Sequence, residues 1–291
     1  MAIELKVASE TGKLKSVIIG YPHNFHECEP EIVNESQRKF YSGRKKPTIE
    51  SLVPEFEEFN HQLKLNGVIV YEPVPVENVP DQLTPRDIGF IVGGTFVVAG
   101  MAKQSRKQEW EGISRIIEQF DSSKVIYVPE GIILEGGDVI VDKGCVYVGL
   151  SQRSTMEGVN FLRQKFPNYD ITPVHLKSLD SDEDVLHLDC AFVPVGNDSG
   201  IIYPQGFIKI PRSMELNYSN LIGLKKEEQK ALASNVLSLS AETLMSRKHP
   251  RASRLNSILE SRGLNVIKIK FDEAPKTGGS FRCCSLPLYR E

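Results

Sequence analysis

The sequence predicts an α/β protein built from repeated strand–helix–strand units. Three observations carry that expectation. Short runs rich in branched apolar residues read as strands. Polar–apolar stretches with helical spacing lie between them. The pairing recurs along the chain, and no long low-complexity segment or obvious linker interrupts it. Units of this length cannot bury their apolar faces alone, so they must stack on neighbours. About four or five copies have two ways to stack. One is a closed ring with strands inside and helices outside; the other is an open sheet.

The first unit runs from a strand at Lys15–Gly20 through a helix near Ser51–Asn66 to a strand at Val68–Glu72. The second joins Thr95–Ala99, a helix near Lys107–Phe120 and Lys124–Val128. In that helix Trp110, Ile113, Ile116, Ile117 and Phe120 recur at three-to-four spacing, which is the inward face of a packed helix. The third joins Cys145–Gly149, a helix near Thr155–Lys165 and Ile171–His175. A further strand lies around Ile201–Tyr203, with a less regular continuation. The last unit runs from Val236–Leu239 through Arg251–Arg262 to Asn265–Ile269.

Composition removes several function classes. A prior of roughly 150 residues per domain allows two domains, or one large repetitive one, in a chain of 291 residues. Lys and Arg number 35 and Asp and Glu 38, giving a net charge of -3. No general basic field exists to hold nucleic acid. No run approaches the roughly 18 apolar residues that span a bilayer. The start, MAIELKVASETGKLK, lacks the basic-then-apolar order of a secretory signal. Five cysteines are present: Cys28, Cys145, Cys190, Cys283 and Cys284. The odd count disfavours a disulfide scaffold and predicts a reduced, cytoplasmic setting. Neither GxGxxG nor GxxxxGK[ST] occurs, so nothing points to a dinucleotide or a nucleoside triphosphate.

Five segments place polar or reactive residues beside strand-like apolar runs. They are Thr84-Pro85-Arg86-Asp87, Glu135-Gly136-Gly137-Asp138, Ser151-Gln152-Arg153-Ser154-Thr155, His187-Leu188-Asp189-Cys190 and Gly278-Gly279-Ser280-Phe281-Arg282-Cys283-Cys284-Ser285. Strand ends on one rim of a ring would converge on one central site. His187 and Asp189 lie two apart, so in an extended chain both face the same side. The bland reading of that pair is a capped strand. Two glycines between Glu135 and Asp138 suggest unusual φ/ψ or a close approach to a ligand; a simple bulge is the bland reading. Asp87 is equally readable as a surface ion pair with Arg86. The vicinal pair Cys283-Cys284 is a poor disulfide candidate and has no CxxC partner for zinc. A Gly-rich lead-in presents a thiol to a cavity, and Arg282 is expected to depress its pKa.

A planar cation matches this set. A guanidinium carries N–H donors in a fixed fork that carboxylates bind bidentately. Asp87, Glu135 and Asp189 suit such a cation, a Cys283 thiolate suits its central carbon, and His187 suits the leaving amine and then water. Arg153 suits a carboxylate at the far end of an amino-acid substrate.

The ordered motifs TPRD, EGGD, HLD and GGSFRCCS resemble those of the guanidino-group-modifying enzymes, over nearly the whole chain from Lys15 to Leu288. That superfamily holds arginine deiminases, dimethylarginine dimethylaminohydrolases and amidinotransferases. Its pentein fold is a five-bladed α/β propeller of ββαβ-type repeats with pseudo-fivefold symmetry. The resemblance implies a single catalytic domain over residues 1–291. It implies Cys283 as nucleophile, His187 as general acid/base and Glu135 as the acid of the EGGD motif. Asp87 and Asp189 match the guanidinium ligands, and Arg153 matches the ligand of the substrate α-carboxylate.

Within the superfamily, Glu135 and Arg282-Cys283-Cys284-Ser285 resemble hydrolases. The stretches Thr84–Met101 and His187–Pro194 resemble amidinotransferases. Asp189 is unlike dimethylargininases, whereas Asp87 is unlike arginine dihydrolases, which carry Asn there. Full-length arginine deiminases carry an extra helical domain for which this length leaves little room. The expectation is a hydrolase converting arginine or methylated arginine to citrulline; the alternative is an amidinotransferase. A non-catalytic pentein binder would not need the joint Cys, His and acids. No metal or organic cofactor is expected, and the only partner implied is a small guanidino substrate. A homo-oligomer is compatible with the sequence. The segment His23–Lys46, with Tyr41, Arg44, Lys45 and Lys46 near its end, is a candidate lid or a solvated loop.

Overall fold

The computed structural model describes residues 2–26, 46–77, 79, 81–177, 183 and 185–291. Cys28 and most of the candidate lid, including Tyr41, Arg44 and Lys45, lie outside the described residues. The closed ring is the arrangement found: five three-stranded sheets form a five-bladed α/β propeller.

Each blade has one inner strand, antiparallel to the middle strand, and an outer strand parallel to the middle one. A helical segment makes the crossover to the outer strand, as a parallel pair requires. The first blade holds β1 (Leu14–Ile19), helix α1 (Ile49–Leu65) and β2 (Ile69–Tyr71). The second holds β3 (Gly89–Val92), β4 (Thr95–Val98), helix α2 (Ser114–Ile117) and β5 (Val125–Tyr127). The third holds β6 (Val139–Asp142), β7 (Cys145–Leu150), helix α3 (Met156–Lys165) and β8 (Asp170–His175). The fourth holds β9 (Phe192–Val195), β10 (Ser199–Ile202), helix α4 (Arg212–Asn217) and β11 (Asn220–Gly223). The fifth holds β12 (Leu237–Ser238), β13 (Thr243–Arg247), helix α5 (Ser253–Ser261) and β14 (Asn265–Ile269). The last strand, β15 (Ser285–Arg290), returns as the inner strand of the first blade and pairs with β1. The chain end thus closes the ring. Pro194 and Pro287 fit inner strands because those strands are sheet edges, where a missing N–H costs least.

Neighbouring blades are tied by hydrogen bonds around the circle. Arg86 N donates to Cys283 O at 3.2 Å, Gly100 N to Leu134 O at 3.0 Å and Leu188 N to Asp138 Oδ1 at 2.9 Å. Ser234 Oγ donates to Cys190 O at 3.2 Å, and Leu14 N to Leu239 O at 2.8 Å.

Two elements depart from the sequence expectation. The helix expected over Lys107–Phe120 is a 3₁₀ segment, Glu109–Ile113, followed by the single turn α2. Gly112 explains the break. Its carbonyl accepts Val74 N–H at 2.8 Å, and a Cβ there would stand 2.3 Å from Gln82 Nε2. Ile113, Ile116, Ile117 and Phe120 are buried nonetheless. In the fifth unit, Val236–Leu239 holds the inner strand, and the middle strand is Thr243–Arg247, which the apolar pattern missed. Its buried Ser246 and Arg247 are satisfied internally: Ser246 Oγ bonds Asn256 Oδ1 at 2.6 Å and Arg247 Nε donates to Phe271 O at 2.7 Å. The irregular fourth unit is explained by α4, which is only six residues long.

Helix α1 connects fold to site. Thr48 and Ser51 form a reciprocal cap at its start. Leu52, Phe56, Phe59 and Leu63 face the core. The Phe59 ring meets Phe281 at 5.2 Å and Phe271 at 5.9 Å between centroids. Phe281 stands two residues before Cys283. Phe59→Ala is expected to cost about 3–5 kcal/mol of unfolding free energy, read by urea denaturation. A loss below about 1 kcal/mol would show that this aromatic cluster does not anchor the segment.

Candidate active site

A short turn precedes each inner strand, and these turns carry the polar residues. Asp87 lies in the helical turn Pro85–Ile88 before β3. Glu135 opens the 3₁₀ turn Gly136–Asp138 before β6. His187 opens the 3₁₀ turn Leu188–Cys190 before β9, and Asp189 lies inside it. Cys283 sits just before β15, and Asn235 just before β12. The five blades thus deliver five loci to one end of the ring.

His187 and Asp189 therefore do not share a face by strand alternation. The 3₁₀ turn rotates them apart: His187 meets Asp87 and Glu135, while Asp189 meets Arg282 and Cys283. The glycines of the EGGD motif answer to close approach, with no unusual φ. A Cβ on Gly136 would stand 2.2 Å from Arg86 O, and one on Gly137 would stand 2.7 Å from both Asp87 Oδ1 and His187 Nδ1. The later pair divides its work. Gly278 takes φ +104, and a Cβ on Gly279 would strike Thr84 Cγ2 at 2.6 Å.

Asp87, His187 and Cys283 line a narrow cavity with about 20 Å³ of free room, space for a single water. Asp81, Arg106 and Cys190 add to its polar wall. His187 Nε2 is 2.8 Å from Glu135 Oε2, and Nδ1 is 3.7 Å from Asp87 Oδ1. Burial alone would push the imidazole down. The carboxylates of Asp87, Glu135 and Asp138 outweigh it and lift His187 to about 9. Glu135 is the reverse case: burial raises it, but His187 and Arg153 hold it well below the ordinary range. Burial raises Asp138 to about 6, although it accepts Ser151 Oγ at 2.6 Å and Leu188 N–H at 2.9 Å. Asp87, Glu135 and His187 present ligand atoms within 4.8 Å of one another, a spacing that suits a cation. Here the charged imidazole supplies that positive charge.

Asp87 pairs with Arg106, not Arg86. Its Oδ2 accepts Arg106 Nη1 at 2.8 Å, and Arg106 is in turn gripped by both oxygens of Glu109. Asp87 Oδ1 is buried without a hydrogen bond among the described residues. Arg86 turns its Nε to Arg282 O at 3.3 Å. Arg153, Glu135 and Asp189 lie behind the residues that line the cavity. Arg153 is 1% exposed, and its Nη1 lies 3.2 Å from Glu135 Oε2.

The vicinal cysteines have different surroundings. Cys283 lines the cavity, whereas Cys284 belongs to the apolar core cluster that also holds Phe56, Phe59 and Phe281. Asn235 cradles Cys283: its Oδ1 accepts Cys283 N–H at 3.0 Å, and its Nδ2 donates to Sγ at 3.0 Å. Sγ also lies 3.6 Å from Asp189 Oδ2. Arg282 does not depress this thiol on balance. Burial, Asp189 and Asp87 push it well above the ordinary range, against smaller effects of Asn235 and Arg282. The guanidinium of Arg282 turns to Asp189 and Glu10. Sequence reasoning missed Asn235 and Arg106. The repeat held a signal for Asn235: it stands two residues before an inner strand, the same offset as Asp87 and Cys283.

The family model for N,N-dimethylarginine dimethylhydrolases, eukaryotic, matches residues 22–290. The chain belongs to that family. It is 33% identical over 285 residues to YkgA, an uncharacterized protein of Bacillus subtilis strain 168, covering 97% of this chain and 94% of the other. An uncharacterized protein of Aeropyrum pernix is 27% identical over 255 residues, covering 86% and 88%. The inosamine-phosphate amidinotransferase StrB1 of Streptomyces griseus superposes with a TM-score of 0.84 at 17% identity, covering 100% of this chain and 97% of that one. A dimethylarginine dimethylaminohydrolase (DDAH) of Pseudomonas aeruginosa complexed with citrulline gives 0.77 at 18% identity, covering 94% and 99%. At these identities the structural likeness establishes the pentein fold. Family membership places the dimethylhydrolase-like chain among enzymes that act on guanidino groups.

Proposed function

We propose that residues 1–291 form one catalytic domain that hydrolyses guanidino compounds in the cytoplasm, converting arginine or N-methylated arginine to citrulline. The observation that carries this reading is the meeting in one cavity of Cys283, a cationic His187 and Asp87, whose Oδ1 faces His187 at 3.7 Å and accepts no hydrogen bond among the described residues. A guanidinium donates to Asp87 Oδ1 and sits beside Asp189. It brings positive charge to the side of Cys283 where two carboxylates disfavour the thiolate. Binding therefore favours loss of the thiol proton to solvent. The thiolate attacks the guanidinium carbon, and His187 gives its proton to the departing nitrogen as the C–N bond breaks. Ammonia or a methylamine leaves, and a thiouronium remains on Cys283. Neutral His187 then takes a proton from water as the oxygen adds. The C–S bond breaks as the hydroxyl proton passes to the departing sulfur, so citrulline leaves and the Cys283 thiol returns. Glu135, held by Arg153, keeps the imidazole oriented and charged.

The competing reading is transfer of the amidino group to an amine, favoured by the superposition on StrB1. Purified protein incubated with arginine, monomethylarginine or dimethylarginine alone should release citrulline and the matching amine. Turnover that appears only when glycine or another amine is added would replace hydrolysis with transfer.

A further inference from the structure

A line of buried charge runs from Cys283 through Asp189 and Arg282 to Glu10. Arg282 divides its guanidinium between two acids. Nη1 donates to Asp189 Oδ2 at 2.7 Å, and Nη2 donates to Glu10 Oε1 at 3.0 Å and to Val139 O at 3.2 Å. Asp189 Oδ2 is also the oxygen 3.6 Å from Cys283 Sγ. Glu10 lies in the bend just before β1 and is buried, as are Arg282 and Asp189. Its backbone N–H donates to Asp142 Oδ1 at 3.2 Å, and Asp142 Oδ2 accepts Tyr218 O–H at 2.7 Å. The segment is fixed from both sides, because Lys6 N donates to Leu288 O and Lys13 N to Glu291 O, both at 2.9 Å.

We infer that Glu10 is a positioning residue for the nucleophile: by taking half of the Arg282 fork, it leaves Asp189 with negative charge to offer to a cationic substrate. This rests on the hydrolase reading for the role of Asp189 toward substrate.

The charges around Glu10 support the assignment. Arg282, Arg86 and Arg290 face it from the turns and strand on either side, and Asp142 faces it from the end of β6. Burial and the neighbouring cation Arg282 lower Arg86 to about 9 and Arg290 to about 10. Glu10 is thus a shared counter-ion of three buried guanidinium groups. Without it, Arg282 is balanced by Asp189 alone. Asp189 is then neutralised toward the cavity, and the net field at Cys283 becomes more positive. Around that sulfur stand Asp189 and Asp87, which raise the thiol, and Arg282, which lowers it.

The test is alkylation of Cys283 by iodoacetamide across pH without substrate, located by mass spectrometry, in wild type and Glu10→Gln. The midpoint is expected to fall by about one pH unit in the variant. KM for the guanidino substrate is expected to rise on the order of tenfold with a smaller change in kcat. Glu10→Asp keeps the charge one methylene back and should return both readouts toward wild type. Where Glu10→Gln gives no soluble protein, Glu10→Asp carries the test, with a smaller downward shift expected. An unmoved midpoint in folded variant protein overturns the inference. Because alkylation needs no turnover, a shifted midpoint in a protein that turns over no guanidino compound would sustain the positioning role while the hydrolase reading fell.

Discussion

Cys283→Ala is expected to reduce turnover of guanidino substrates by at least about 10⁴-fold, because covalent catalysis has no substitute once its nucleophile is removed. The loss should appear in kcat, since Asp87 and Asp189 still receive the guanidinium. The same variant should abolish covalent labelling by an electrophilic amidine. Cys284→Ala makes the contrast. Cys284 belongs to the buried apolar core, so labelling should persist while unfolding free energy falls by about 1–2 kcal/mol for the small cavity left behind. Mass-spectrometric mapping of the label checks both variants. Undiminished labelling of Cys283→Ala would refute the nucleophile assignment, and labelling lost only in Cys284→Ala would move it by one residue. Cys283 is pushed up by burial and by two carboxylates. A neutral alkylating agent should therefore react slowly at pH 7, and a cationic amidine faster than its neutral isostere. That difference separates a thiol activated by its ligand from one activated by the protein.

The sequence announced the ring through its strand repeat, and it announced the site through motifs that stand beside inner strands. Asp87, Glu135, His187, Asp189 and Cys283 were legible because each is a polar or reactive residue next to an apolar run. Their mutual geometry was not legible. Spacing of two suggested one face for His187 and Asp189, but a 3₁₀ turn sends them to different partners. Arg153 carried the right chemistry for a carboxylate, yet only the folded chain shows its charge directed at Glu135. Arg106 was hidden because it lies in an irregular segment, 19 residues from the Asp87 it pairs with. Glu10 was hidden for a different reason. Its partner Arg282 is 272 residues away and is reached only when the last strand closes the ring. The broken helix at Gly112 was missed because periodicity reports which residues face inward. It does not report which carbonyl a neighbouring segment will claim.

Glu135→Gln isolates what holds the proton on His187. In the native site the imidazole is raised from 6.5 to about 9, with burial opposing and the carboxylates of Asp87 and Glu135 prevailing. Two consequences follow from that sign. As the acid of the first step, His187 keeps activity up to about pH 9 and loses it above. As a group whose folded pKa exceeds its unfolded one, it adds stability that is complete below about pH 6.5 and gone above about 9. Glutamine keeps the shape of residue 135 and removes its charge, so burial gains weight against Asp87 and Asp138. The alkaline limb of kcat should then move down by about one to two pH units, so that turnover at pH 9 falls about 5- to 50-fold while turnover at pH 7 falls by no more than about twofold. Arg153 loses its counter-charge in the same variant. Stability should therefore drop by about 3 kcal/mol, as for a broken buried ion pair. Titrating the His187 ring resonances by NMR in both proteins tests this directly. An imidazole that still titrates near 9 in folded Glu135→Gln would assign the lift to Asp87 and Asp138 and remove Glu135 from the proton-holding role.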